Sequence, residues 1–342
     1  MSAVGTVVPV HVPPQADAPE RRRVLRPRYS LADRVFRSVV RTAGGAVLAI
    51  MLLVGFFLAY RASEALRAEG VSFLTTAAWE PDSRNFGVAA ILLGTFLVAM
   101  VALVVAVPLA TGTALYISEY APRRIKRTLI SLVDLMAAVP SVIYGLWGFY
   151  FLQYQTGFAR WLATYVDWVP LFRVDGYDKN DPLASSTLFT SSTLMAGVVV
   201  GLMVTPIACS VMREVFSQAP PGEREGAYAL GATRWGMIRA VVLPFGKGGM
   251  IGGTMLGLGR ALGETIAVYM ILASVFAVQP HILQNGGSSI SATIAGKFGA
   301  SSAFGLSALF AAGLALFLVT LVVNFAAASV VARSRSGADA DA

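Results

Sequence analysis

The sequence predicts an all-α membrane protein with six transmembrane helices and both termini in the cytoplasm. Three observations carry this prediction: an apolar composition, six long apolar runs, and a one-sided distribution of Lys and Arg. The chain is 56% hydrophobic and only 13% charged, with a mean hydropathy of +0.67. A soluble domain carries about 25% charged residues. The net charge of +8 does not point to nucleic acid, because the basic residues gather beside the apolar runs, where lipid headgroups would meet them.

Residues 1–41 are expected to form a cytoplasmic tail. They are polar, with Pro13, Pro14 and the run RRRVLRPR, and do not read as a cleavable signal peptide. Residues 1–29 are expected to be disordered. SLADRVFRSVVR (30–41) sets Leu31, Val35, Val39 and Val40 on one helical face and Arg34, Arg37 and Arg41 largely off it. That pattern predicts a helix lying on the membrane surface, started by a Ser30–Asp33 cap.

A spanning helix needs about 20 mostly apolar residues. Six segments supply them: 42–60, 88–117, 128–152, 192–212, 249–276 and 304–332. The chain then divides into the tail, the first span with its outer loop (42–87), a five-span domain (88–332) with a cytoplasmic segment at 213–248, and a C-terminal tail (333–342). The tails and loops on one side hold nineteen Lys and Arg and those on the other side seven, which puts the richer side in the cytoplasm. The outer loops 61–87 and 153–190 each sum to −1, so neither concentrates an anion by its charge.

The lone Cys209 lies in an apolar run and reads as a small buried residue. Pro108, Pro140 and Pro206 interrupt spans two, three and four, where they either free carbonyls toward a cavity or kink the helices for packing. Gly249, Gly253 and Gly257 recur every four residues and would let a second helix approach span five. Asp134, seven residues past Arg127, is expected near the cytoplasmic interface.

The stretch GLGRALGETIAVYMILA (257–273) raises a sharper question, since it places Arg260 and Glu264 inside an apolar run. With the helix starting near Gly248, Arg260 would lie ~18 Å along its axis, close to mid-membrane. Charges there face a bundle interior or an aqueous path, or else lock two helices together. At a spacing of four, the two side chains should share one face and pair. Arg260 suits an oxyanion because a guanidinium donates two parallel hydrogen bonds, and Glu264 would make the cation tolerable in an empty pathway.

The cytoplasmic segment EREGAYALGATRWGMIRAVVLPFGKGG (223–249) is too polar to span. It predicts a helix over EREGAYAL, a left-handed break at Gly231, and a second helix with Trp235, Ile238 and Val242 on one side. The spacing Glu225-Gly226-Ala227, Gly231, then Val241-x-Leu243-Pro244 resembles the cytoplasmic signature of bacterial ABC-importer permeases. It departs by Gly for Ala at 226 and Val for Ile at 241. The resemblance implies the type I importer permease fold and a short helix docked on an ATP-hydrolysing subunit, with Glu225, Gly226, Ala227, Gly231, Leu243 and Pro244 as coupling residues. No G-x-x-x-x-G-K-[ST] occurs in the chain, so ATP and Mg²⁺ are expected on that partner.

VPSVIYGLWGFYFL (139–152), GRALGETIAV (259–268) and the outer-loop residues Phe73, Trp79, Pro81, Phe86, Gly87, Gly94 and Thr95 resemble phosphate-importer permeases of the PstC type. That resemblance implies a phosphate pathway through Arg260 and Glu264. It also implies a PstA-type second permease, two ATPase subunits and an extracytoplasmic phosphate-binding protein. Arg-x-x-Gly-Glu is shared with sulfate and molybdate permeases, which leaves another oxyanion as the alternative. A self-sufficient ion-coupled transporter or channel would leave the 223–249 segment unexplained. An intramembrane enzyme lacks candidates, since His11 and His281 both lie outside the spans.

Overall fold

The computed structural model describes residues 30–181 and 184–335. The tail at 1–29 and residues 336–342 lie outside them. The chain divides into two compact units, Met1–Leu53 and Val54–Ala342. Among the described residues five helices are long and apolar enough to cross a membrane, or six if one bent pair forms a single span.

Helix α1 (Leu31–Glu69) is uninterrupted, so the expected surface helix and first span are one element. At its start the Ser30 N–H and hydroxyl donate to Asp33 Oδ2, at 3.1 and 2.9 Å, while the Asp33 N–H donates to Ser30 Oγ at 3.2 Å. This reciprocal capping is as expected and satisfies N–H groups that have no partner within the helix.

The outer loop turns through a two-residue hairpin, β1 (Trp79–Glu80) against β2 (Asn85–Phe86). Phe73, Trp79 and Phe86 are buried, with Phe86 edge-on to Phe73, Trp79 and Phe304 at centroid distances of 6.0, 6.3 and 5.6 Å. Polar contacts join the same outer layer. Thr95 Oγ1 accepts from the Ile290 N–H at 3.0 Å, and Gly94 lies against the Ser288 carbonyl, where a Cβ would not fit. The outer-loop aromatics, Gly94 and Thr95 are thus packing residues.

Helix α2 (Ala89–Leu115) and helix α6 (Thr193–Ser217) form the centre of the larger unit. Their seam is built from small residues: Ala99, Ala102 and Ala106 are buried. A Cβ on Gly201 would lie 2.8 Å from the Ala102 carbonyl. Close backbone approach replaces hydrophobic driving force where the surrounding solvent is itself apolar. Pro108 and Pro206 sit inside these helices without ending them.

The expected third span (128–152) is instead two helices, α3 (Arg123–Ala138) and α4 (Ser141–Tyr150), bent by 83°. The break falls at Val139, which is extended, and Pro140. A proline disfavours helical dihedrals in the residue before it and cannot donate to the preceding turn. Asp134 is exposed on α3. Helix α5 (Gly157–Tyr165) lies in the second outer loop.

The expected fifth span (249–276) also differs. Helix α9 (Leu243–Leu262) stops at Gly263, and α10 (Ile266–Ile271) resumes after Thr265. The chain beyond pairs with the second outer loop through Ile282 N–H to Leu171 O and Asn285 N–H to Leu188 O, at 3.0 and 2.8 Å, and with the start of α6 through Leu194 N–H to Ile282 O at 2.8 Å. Helices α11 (Ile290–Lys297) and α12 (Ala303–Arg335) complete the chain.

Candidate substrate pathway and docking segment

The segment between spans four and five begins with α7 (Pro221–Ala229). Gly231 ends it at φ +83°. There the Gly231 N–H donates to Tyr228 O at 2.9 Å and the Ala232 N–H to Ala227 O at 3.0 Å. These two bonds are the Schellman pattern and satisfy carbonyls the helix leaves open. Thr233 caps α8 (Arg234–Met237) by accepting from the Gly236 N–H at 3.1 Å. A wide turn over Ile238–Val242 follows and runs directly into α9. Pro244 has no N–H for the Ala240 carbonyl, and the widened turn just ahead takes up the change of register.

Of the residues expected to couple to an ATPase, Glu225, Gly226, Gly231 and Pro244 are exposed, whereas Ala227 and Leu243 are half-buried. Leu230, at the tip, is 90% exposed. The second helix departs from expectation: Met237, Ile238 and Val242 are buried, but Trp235 is 56% exposed. Met237 centres the buried face, and Trp235, two residues earlier on a helix of about 3.6 residues per turn, points largely away from it. Leu230 and Trp235 flank a surface that the described residues do not cover.

Three contacts that the sequence did not reveal fix this segment to the spans. Arg224 Nη1 donates to Glu119 Oε2 at 3.0 Å, with the two side chains 22% and 4% exposed. Arg224 Nη2 donates to Phe216 O, at the end of α6, at 2.6 Å. Arg234 lies 5.1 Å from the Tyr120 ring centroid. Glu119 and Tyr120 belong to a second wide turn, Tyr116–Tyr120, that ends span two. The available sequence signal was Glu119 as the lone acid in a loop holding four cations.

Arg260 and Glu264 are separated by the break in span five. Arg260 lies in the last turn of α9, ~26 Å along the axis from Leu243 and so nearer the outer end than expected. Glu264 lies beyond the helix, is 8% exposed, and accepts from the Ala267 N–H at 3.4 Å. The expected shared face and ion pair are therefore absent among the described residues. Spacing of four makes neighbours only where the helix continues. Each charge suits its position otherwise, a cation at a helix C-terminus and an anion at the next N-terminus.

The Arg260 side chain is exposed and makes no hydrogen bond among the described residues. It lines a cavity of about 520 Å³ with Ile207, Met255, Leu256, Gly259, Thr320 and Asn324. Thr320 Oγ1 is occupied, donating to Phe317 O at 2.9 Å. Arg260 is thus the one charged group on a mostly apolar wall, with the Asn324 carboxamide from span six opposite α9. Span five packs on span four through its glycines. A Cβ would lie 2.5 Å from Val215 at Gly249, 3.0 Å from the Ala208 carbonyl at Gly253 and 2.6 Å from Val204 at Gly257. A cavity of about 570 Å³ in the 153–190 loop is lined by Asp167, Asp175 and Asp178 as well as Arg173 and Lys179. Its mixed signs agree with the weak charge read from that loop.

Residues 106–336 match the family described as "Binding-protein-dependent transport system inner membrane component". "Phosphate transport system permease protein PstC 2" of Mycobacterium tuberculosis is 40% identical, over 89% of this chain and 93% of that protein. "Phosphate transport system permease protein PstC" of Xylella fastidiosa is 35% identical over 91% and 93%, and that of Mesorhizobium japonicum 34% identical over 99% and 100%. A chain in the crystal structure of a bacterial ABC transporter involved in the import of the acidic polysaccharide alginate shares the fold, at a TM-score of 0.53 and 19% identity. The match covers 88% of this chain and 99% of that one. The family match covers more than half of the chain and the relatives nearly all of it. The chain therefore belongs to the inner-membrane components of binding-protein-dependent transport systems, a membrane transport subunit with the type I ABC importer permease fold.

Proposed function

We infer that this chain is the permease subunit of an ATP-driven importer that moves inorganic phosphate across the cytoplasmic membrane. The observation that carries the reading is Arg260, an unpaired guanidinium on the wall of a cavity between spans five and six. A planar guanidinium can grip a tetrahedral oxyanion with two parallel bonds. A membrane-embedded charge with no partner is expensive unless a ligand or water meets it. The relatives named as phosphate permeases narrow the oxyanion to phosphate.

The importer would comprise this chain, a PstA-type second permease, two ATPase subunits carrying ATP and Mg²⁺, and an extracytoplasmic phosphate-binding protein. The mixed charge of the outer loop fits delivery of the anion by such a protein. Both termini and residues 213–248 would be cytoplasmic, following the excess of Lys and Arg on that side. Leu230 and Trp235 would then face the ATPase.

The test is uptake by the purified complex in proteoliposomes supplied with ATP, binding protein and labelled phosphate or sulfate. Phosphate should accumulate and sulfate should not. Arg260→Gln should abolish uptake in complexes that still assemble. Arg260→Lys should recover little, because an ammonium keeps the charge and loses the planar geometry. Wild-type uptake by an assembled Arg260→Gln complex would overturn the pathway reading, and sulfate accumulation the phosphate reading.

A further inference from the structure

We propose that Glu119 and Arg224 are positioning residues that carry movement of α7 into the cytoplasmic ends of spans two and four. The inference rests on the reading that α7 docks on the ATPase. Arg224 stands in α7 and reaches two other elements at once. Its Nη1 donates to Glu119 Oε2 at 3.0 Å, in the wide turn that ends span two. Its Nη2 donates to the Phe216 carbonyl at 2.6 Å, in the last turn of span four. Phe216 is fully buried, and its ring lies where a Cβ on Gly246 of span five would have to go. A displacement of α7 thus pulls through one guanidinium on the ends of two spans, and span five packs directly on one of them.

The bonding of the pair is incomplete. Glu119 Oε1 and Arg224 Nε are both buried with no hydrogen-bond partner among the described residues. An arginine and a carboxylate at this distance commonly close into a fork of two parallel bonds. Here one bond is made, and Glu119 Oε1 and Arg224 Nε stay unpaired. A guanidinium carries five N–H donors, so Arg224 has capacity for a second bond to Glu119 whether or not it keeps the Phe216 carbonyl. The junction therefore has alternative arrangements that differ in how firmly α7 is tied to span four. Packed interfaces favour such discrete alternatives over continuous deformation. The wide turns at both Tyr116–Tyr120 and Ile238–Val242 place irregular, adjustable backbone on either side of this junction.

The experiment compares Glu119→Gln, Arg224→Lys and the swapped pair Glu119→Arg with Arg224→Glu, each in the full complex in proteoliposomes. Subunit stoichiometry, heat stability, ATP hydrolysis stimulated by the binding protein, and phosphate taken up per ATP are measured. Glu119→Gln and Arg224→Lys should assemble and hydrolyse ATP, while uptake per ATP falls about five-fold or more, the lower range of a coupling between two sites. The swapped pair should recover heat stability and not coupling, because a glutamate at 224 cannot donate to the Phe216 carbonyl. Unchanged uptake per ATP in assembled single variants, failure of both to assemble, or full rescue by the swap would each mark the pair as a static brace and overturn the proposal. Leu230→Asp, made in parallel, separates the two readings. If it leaves ATPase association intact, the docking reading fails. If it releases the ATPase while the Glu119 and Arg224 variants couple normally, only the present proposal fails.

Discussion

At the scale of single residues, the structure gives Glu264 and Asn324 surroundings that the sequence does not show. Glu264 accepts from the Ala267 N–H at the start of α10. A glutamine keeps that acceptor and gives up only the charge, so Glu264→Gln should assemble normally, whereas Glu264→Leu should lose heat stability. The loss should be on the order of 1–2 kcal/mol, the usual cost of deleting a helix cap, measurable as a lower unfolding temperature of the complex. Asn324 is a carboxamide in an apolar span, sharing the cavity wall with Arg260. Polar side chains in such positions are retained for a partner. Asn324→Leu should leave assembly intact and slow phosphate uptake about ten-fold, the worth of one hydrogen bond to a charged group. Uptake at the wild-type rate would show that Asn324 does not meet the anion. Arg260 was visible in the sequence as a charge among apolar residues. Asn324 was not, because nothing in a linear pattern places residues 260 and 324 on one wall.

At the scale of elements, the segment proposed to dock on the ATPase owes its shape to one backbone conformation. Gly231 at φ +83° has open space around its missing side chain, so a substitution there meets no clash and only backbone strain. Gly231→Val should cost about 1–2 kcal/mol through that strain. Substrate-stimulated ATP hydrolysis should fall while the spans stay assembled. Gly231→Asn should be milder, since asparagine tolerates the left-handed region. Span five reads differently. Gly257 is limited by space, with Val204 2.6 Å from where a Cβ would lie. Gly257→Val should force spans four and five apart, costing about 1–3 kcal/mol by overpacking, and should appear as a lower unfolding temperature. The glycine repeat was legible from its spacing and the turn from its single glycine. The break at Gly263 was not, because an apolar run of 28 residues from 249 to 276 gives no signal that its helix stops short.

At the scale of the whole molecule, orientation follows from the nineteen-to-seven division of Lys and Arg. In a Cys209→Ala background, Asp175→Cys should react with an impermeant thiol reagent on intact cells. Leu230→Cys should react only after the membrane is opened. Both positions are exposed, Asp175 by 75% of its side chain and Leu230 by 90%, so access is set by the membrane alone. Reaction at 230 and not at 175 on intact cells would reverse the topology.

By itself the sequence determined the class of the protein, the number of apolar runs and the helix–turn–helix segment between spans four and five. These depend on composition and on spacing along the chain, and burial in lipid enforces both without reference to any neighbour. Only the tertiary structure decided that span three bends by 83° at Pro140, that span five ends between Arg260 and Glu264, and that Glu119 holds Arg224 across more than a hundred residues. Those outcomes depend on which surfaces meet. A helix stops or bends where the chain beyond it finds partners elsewhere, as the 272–289 stretch does against the second outer loop. An ion pair forms where folding brings two charges together, not where the sequence spaces them four apart.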